Sequence, residues 1–357
     1  MAILSTLATL LKEYIASLLT WKALALFLAV INLKNLPLAW HARLAKNLYL
    51  NIRRTPTDPH HPPHTHPQPH SKHPIFLPLT ITSRTPILET DYNLHKSNST
   101  YFSDLDIART ALATRIFTPG SRIVNRELDA EIASSSSQTQ SGSASAGAAG
   151  AGAGGKLGLY IALGSVFCSF KREIKPFERY EISSRVVAWD EKWVYMVSFF
   201  VRPSRASGKG DKAEGKERGR LLATAVSKYV VKKGRMTVPP ERVLRASGFL
   251  PDRTGNITGT GTGIGGLTPG ESSDDGITAA ATATAVDAEV VREVLVSGGI
   301  GDEEEETKEE LRRRNVGSWN EEDWPWERIE EERLRGLKVV EGYAGLDAKL
   351  FEEWGGE

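Results

Sequence analysis

Apolar and polar residues recur with different periods along this chain, and the changes of period mark its parts. From Ile75 to Ser83, the residues Ile75, Leu77, Leu79 and Ile81 fall at every second position, which predicts a strand with one buried face. Further on the period lengthens. Tyr101, Leu105, Ala108 and Leu112 recur at i, i+4, i+7 and i+11, a single stripe on a helix. Phe102, Ile107, Ala111 and Ile116 widen that stripe, so the helix is expected to be wrapped by a sheet. Period two then returns. Leu159, Ile161 and Leu163 share one parity, while Val166, Cys168 and Phe170 share the other, and a bulge near Gly164-Ser165 reconciles them. Tyr180 to Trp189 and Trp193 to Val201 flank Asp190-Glu191-Lys192 and read as a hairpin. The second strand is apolar on both faces, so it is expected to be covered on both sides. Leu221 to Val231 resumes as a final strand. A strand, a helix and four mostly antiparallel strands make an α+β domain.

Composition divides the rest. Residues 75–250 form the expected domain, with flexible insertions at 134–155 (Ser, Ala, Gly) and 202–220 (charged, with Gly). Residues 55–74 are a His/Pro-rich linker holding His60, His61, His64, His66, His70 and His73. Two readings of it stand, a metal-binding tract and a solvated, extended spacer. The spacer is preferred, because proline-rich coil does not preorganise a ligand set. Residues 251–310 are a Gly-rich and acidic linker, and 311–357 are expected to be helical, as a cap on the core or a partner site.

Residues 1–54 begin with an apolar run from Ile15 to Leu33, interrupted by Lys22. A lysine at a bilayer centre costs about 2.5–3.5 kcal/mol, and each Leu, Ile, Phe or Val returns about 0.3–0.6. A membrane span, an interfacial helix and a helix packed on the domain all stay open. Arg43, Lys46, Arg53 and Arg54 follow the run, which favours a membrane-associated chain with its domain facing the cytosol. The endoplasmic reticulum is the candidate membrane, and a cytoplasmic location is the alternative. Asn98-Ser99-Thr100 is a glycosylation sequon inside the key loop described next, which agrees with the cytosolic side.

Charge changes little in this picture. With 45 Lys and Arg against 44 Asp and Glu, the net charge is +1, and no field favours nucleic acid. Cys168 is the only cysteine, so no disulfide can close within the chain, and its apolar run reads as a buried small hydrophobe. No metal and no cofactor are expected.

The chemistry concentrates in Asp91-Tyr92-Asn93-Leu94-His95-Lys96-Ser97-Asn98-Ser99-Thr100-Tyr101, directly before the striped helix. A carboxylate beside a helix N-terminus can attack or activate water, while unpaired N–H groups polarise a carbonyl. Read from residue types alone, Asp91 and Asn98 serve equally as loop and cap residues. Asp91-x-x-Leu94-His95-x-Ser97-Asn98-x-x-Tyr101 resembles the signature D-x-x-G-H-x-N-N-x-x-Y of hotdog-fold thioesterases, in the 4-hydroxybenzoyl-CoA thioesterase-like superfamily, and the chain is most similar to a fungal branch. The segments Trp21 to Pro37 and Arg179 to Tyr195 share the likeness. Leu94 and Ser97 depart from the signature. The resemblance implies a hotdog fold, a sheet wrapped around a central helix, usually in a homodimer. It implies an acyl-CoA or acyl-carrier thioester as substrate. Asp91, His95 and Asn98 would then be catalytic, with Ser97, Ser99 and Tyr101 contacting substrate. Lys232, Lys233 and Arg235 would meet CoA phosphates or form a solvated strand end. A hotdog domain that binds acyl chains or partners without turnover is the alternative function. Hydratase chemistry centred on His95 is a third.

Overall fold

The computed structural model describes residues 2–18, 20–53, 72–139, 158–203, 220–251 and 322–355. Its centre is a long helix, α4 (Thr100–Thr139), lying in the hollow of an antiparallel sheet. The strands are β1 (Leu79–Arg84), β2 (Leu159–Phe170), β3 (Arg179–Trp189), β4 (Trp193–Arg202), β5 (Arg220–Lys233) and β6 (Met236–Val238). Their order is β1-β3-β4-β5-β2, with β6 added to β5. This is the hotdog arrangement that the resemblance implies.

The helical stripe is the axis of the core. Tyr101, Leu105, Ala108 and Leu112 are all buried, and Ile116, Phe117, Val124 and Leu128 extend the line along α4. They meet Ile182, Phe200, Ala223 and Ala225 at one end, and Val186, Val194, Met196 and Val231 further along. The expected bulge lies between Leu163 and Ser165, where β2 shifts register against β5. β3 and β4 pair as the hairpin around Asp190, whose carboxylate accepts from Lys192 N and Trp193 N and closes the turn.

Four expectations are corrected. Strand β1 starts at Leu79, because Pro74–Phe76 form a single 3-10 turn. Pro74 suits the first position of that turn, and Pro78 has no N–H for the ladder. His73 opens the same turn and is fully buried against Phe76 and Trp324. The solvated reading therefore fails for this histidine, whose pKa burial depresses to about 3; residues 54–71 lie outside the described residues. The start of the expected insertion at 134–155 is helical instead, since α4 continues through Thr139, and residues 140–155 lie outside the described residues. Lastly, Lys233 is neither solvated nor free for phosphate. It is buried, and its ammonium meets Asn125 Oδ1 and Asp129 of α4.

The sequence patterns passed over two short elements, β6 and helix α5 (Pro240–Ala246). Three residues and seven residues are too short to establish a period. Helix α5 closes one end of the core with Val243 and Leu244, and Ser247 accepts from Gly120 N of α4 at 2.9 Å.

The apolar N-terminal run is not one helix. It is split into α1 (Ala2–Leu18) and α2 (Trp21–Ile31), bent by 58°. Thr20 breaks the run by capping α2, its hydroxyl accepting from Ala23 N. Among the described residues no single helix is long and apolar enough to cross a membrane. Helix α3 (Ala39–Arg53) behaves differently from α1 and α2. Its Leu44 and Leu48 pack on Ile107 of α4, with Ile81 of β1 beside them.

Helix α6 (Trp326–Ala344) covers the outer face of the sheet, with α7 (Leu346–Gly355) after it. Val340 and Leu337 pack on Val187, Tyr195 and Val197. The approach is close at Gly336, where an added Cβ would sit 2.0 Å from Val187 O. Arg333 donates to Trp189 O at 2.6 Å. The tail is thus a cap, and the double burial of β4 follows from α4 on one face and α6 on the other.

Candidate active site

Residues Glu89 to Ser97 fold into a small hairpin that leads into α4. A bridge between Thr90 and Lys96 closes it, and Ser97 N donates to Glu89 O at 2.7 Å. At the tip, Asp91 N donates to His95 O (2.9 Å), and Leu94 N donates to Asp91 O (3.1 Å). Leu94 turns the corner with φ 59°, a left-handed backbone. The family signature has glycine here because that conformation crowds a Cβ. This chain keeps the backbone with a leucine, whose side chain is exposed.

The predicted polar residues fall around this corner. One Asp91 carboxylate oxygen accepts from Asn93 N at 2.9 Å, and the other lies 3.5 Å from His95 Nδ1. Both side chains are partly open to solvent, 20% for Asp91 and 27% for His95. Asn98 and Ser99 are exposed at the entry of α4. Among the described residues nothing accepts from Asn98 N or Ser99 N, whereas Thr100 N and Tyr101 N are already taken up by Ser97 O and Asn98 O. Ser97 closes this turn with its carbonyl, which also accepts from the Thr100 hydroxyl, and its own hydroxyl pairs with that of Ser99.

Tyr101, which the resemblance places against substrate, is buried between Phe170 and Phe200. Burial, then the charges of Cys168, Glu178 and Asp91, push its pKa above the ordinary tyrosine value. Tyr101 therefore anchors the start of α4. Cys168 on β2 lies in the same neighbourhood. Burial raises its pKa to about 11, so the thiol stays protonated.

Beneath the hairpin lies an ionic cluster that residue patterns did not reveal. Asp104, one helical turn into α4, has a fully buried carboxylate. Lys34 lies 2.8 Å from it, Lys96 3.1 Å and Arg43 3.5 Å. The Ser83 hydroxyl donates to it at 3.1 Å, and the Tyr180 hydroxyl makes a short bond. Glu89, also buried, is held by Lys34 at 2.9 Å and by Lys96 at 2.5 Å. Burial alone would raise the Asp104 pKa, but Lys34 and Lys96 outweigh it and hold the carboxyl down at about 2. The same burial pulls the Lys34 ammonium below the usual lysine range, with Asp104 and Glu89 opposing. A buried pair of this kind gives geometry more than stability, since desolvation consumes most of the attraction. Here the geometry belongs to the hairpin. Its incoming arm inserts Glu89 and its outgoing arm inserts Lys96, directly beside His95 and Ser97. A lysine with 1% exposure in a polar loop leaves no periodic trace in sequence.

The architecture agrees with comparisons to known proteins. Residues 85–246 match the model of the thioesterase-like superfamily. The chain is 30% identical over 355 residues to the thioesterase lcsJ of Purpureocillium lilacinum, covering 94% of this chain and 93% of that protein. It is 37% identical over 238 residues to the probable thioesterase atnL of Emericella nidulans, covering 63% and 71%. A probable thioesterase of Saccharomyces cerevisiae is 32% identical over 171 residues, covering 48% and 55%. The likeness to lcsJ runs nearly end to end, and with the hotdog core it places this chain in the thioesterase-like superfamily as a thioester hydrolase.

Proposed function

We propose that the chain hydrolyses an acyl thioester, carried on CoA or on an acyl carrier, at the Glu89–Ser97 hairpin. Asp91 is the reacting carboxylate, acting as nucleophile on the thioester carbonyl or as base on a water. The observation that carries this reading is the state of its carboxylate: solvent-reachable, oriented by Asn93 N, and next to His95. His95 orients the water or the leaving thiol. The N–H groups of Asn98 and Ser99 receive the carbonyl oxygen as it gains charge. Losing one such donor typically costs about 2.7–4 kcal/mol of transition-state stabilisation.

The active unit in this proposal is a homodimer. β2 is the outer strand of the sheet order and is 12 residues long. Phe167 on it is half exposed, and Phe170 reaches back to Tyr101 at the start of α4. A second copy pairing along this edge would close over the hairpin and complete the pocket.

The chain also associates with a membrane in this reading. Helix α2 buries no residue, and Trp21, Leu24, Leu26, Phe27, Leu28 and Val30 are exposed. Beyond Lys22 at its start, α2 is apolar all round, which suits lipid better than a one-sided protein groove. Arg43 and Lys46 beyond it favour the cytosolic side.

An acyl-CoA panel with thiol-release readout tests the function. Wild type is expected to turn over at least one acyl class, and Asp91→Asn to lose about a hundredfold or more of kcat. If both release thiol at one negligible rate while an acyl-CoA raises Tm, the chain binds acyl groups without turnover.

A further inference from the structure

Lys34 belongs to the N-terminal segment, yet its ammonium ends under the active-site hairpin. The turn after α2 sends two side chains inward. Asn32 accepts from Leu88 N at 2.8 Å, one residue before Glu89. Lys34 reaches Glu89, Asp104, Arg84 O and the Tyr180 hydroxyl, all within 3.4 Å. We propose that Lys34 is a positioning residue for the thioesterase site, fixing the hairpin that carries Asp91 by holding Glu89 against Asp104. The inference rests on the hairpin being that site.

The charges explain the role. Glu89 and Asp104 are bracketed by Lys34 and Lys96, two carboxylates between two ammonium groups. Asp104 has further donors in Ser83, Tyr180 and Arg43. Glu89 has only the two lysines among its side-chain partners in the cluster. Without Lys34, two buried carboxylates share one ammonium, and Glu89 is the one released. Glu89 is two residues from Asp91, and its carbonyl accepts from Ser97 N. Its release therefore loosens both arms of the hairpin. Lys34 lies outside the sheet and α4 themselves, so its loss strikes the hairpin before the core.

The test uses full-length wild type, Lys34→Met, and the charge-balanced double variant Lys34→Met/Glu89→Gln, which leaves Lys96 to Asp104 and frees residue 89 from both lysines. Amide exchange is followed by mass spectrometry, beside the acyl-CoA assay. Both variants are expected to speed exchange at Asp91, Leu94 and Ser97 by about tenfold or more, leaving β3 to β5 unchanged. In the assay kcat falls by roughly tenfold while KM stays within about twofold. Lys34→Arg is expected to recover most of both. If Lys34→Met does not fold, the double variant carries the same expectations with its buried charges balanced. Hairpin exchange and kcat at wild-type values in a folded variant overturn the proposal. So does a uniform rise in exchange across the sheet, which marks Lys34 as purely structural. Asp91→Asn runs alongside. If it keeps the wild-type rate, the site assignment fails while the exchange result still decides what Lys34 holds.

Discussion

Asp104 and Leu105 are neighbours on α4, and they face two different interiors. Leu105 enters the apolar core of Tyr180, Ile182, Phe200 and Ala223, while Asp104 enters the ionic cluster of Lys34, Glu89 and Lys96. Both side chains are fully buried. The apolar side needs only shape and volume, and its contacts each add a favourable increment. The ionic side has to recover the cost of desolvating four charges, so its members are worth little unless all are present. The first interior holds the fold together. The second fixes where one loop stands relative to the helix entrance.

Removing one charge should break the ionic side most severely. Asp104→Ala leaves Lys34 and Lys96 buried without a full complement of acceptors, and unfolding in denaturant should show a loss of about 3–5 kcal/mol. Leu105→Ala should cost about 2–5 kcal/mol in the same experiment. The two then diverge in kind. The Leu105 variant should keep its kcat wherever it remains folded, and the Asp104 variant should lose it together with hairpin protection.

Acid sharpens the contrast. Asp104 is held at about 2 in the folded chain, below the ordinary value of 3.8. Its stabilising contribution is therefore complete above about pH 4 and is lost as pH falls toward 2. The amount is about 2 kcal/mol for a shift of this size. Asp104→Asn should flatten that part of the stability curve, whereas Leu105→Ala should lower the curve without changing its slope. The smallest effect belongs to the corner of the hairpin. Leu94→Gly relieves a left-handed leucine but adds freedom to the unfolded chain, so thermal unfolding should register a gain of at most about 1 kcal/mol.

The same contrast explains what could be read from the chain. The stripe Tyr101, Leu105, Ala108, Leu112 announced its burial by spacing alone, as did the parity change that marks the bulge at Leu163/Ser165. Asp91, His95 and Asn98 stand out by their local order before a helix; Asp91 and His95 lie side by side, and Asn98 is exposed at the helix entrance. The cluster beneath them comes from segments around residues 34, 89, 96 and 104, brought together only by the fold. No period joins Lys34 to Asp104 across 70 positions. The segment holding Lys34 was read for its hydropathy, which hid the fact that its polar residues turn inward. Tyr101 carries both signals at once, since it is a motif position and its helix register makes it a core residue.

The central claim is that Asp91 acts in chemistry while its surroundings act in position. The most direct measurement compares thiol release and thermal unfolding of Asp91→Asn with wild type, on whichever acyl-CoA wild type hydrolyses best. The account predicts a loss of about a hundredfold or more in kcat, with Tm close to the wild-type value because Asp91 lies at an open corner outside both interiors. A variant that retains the wild-type rate would contradict it.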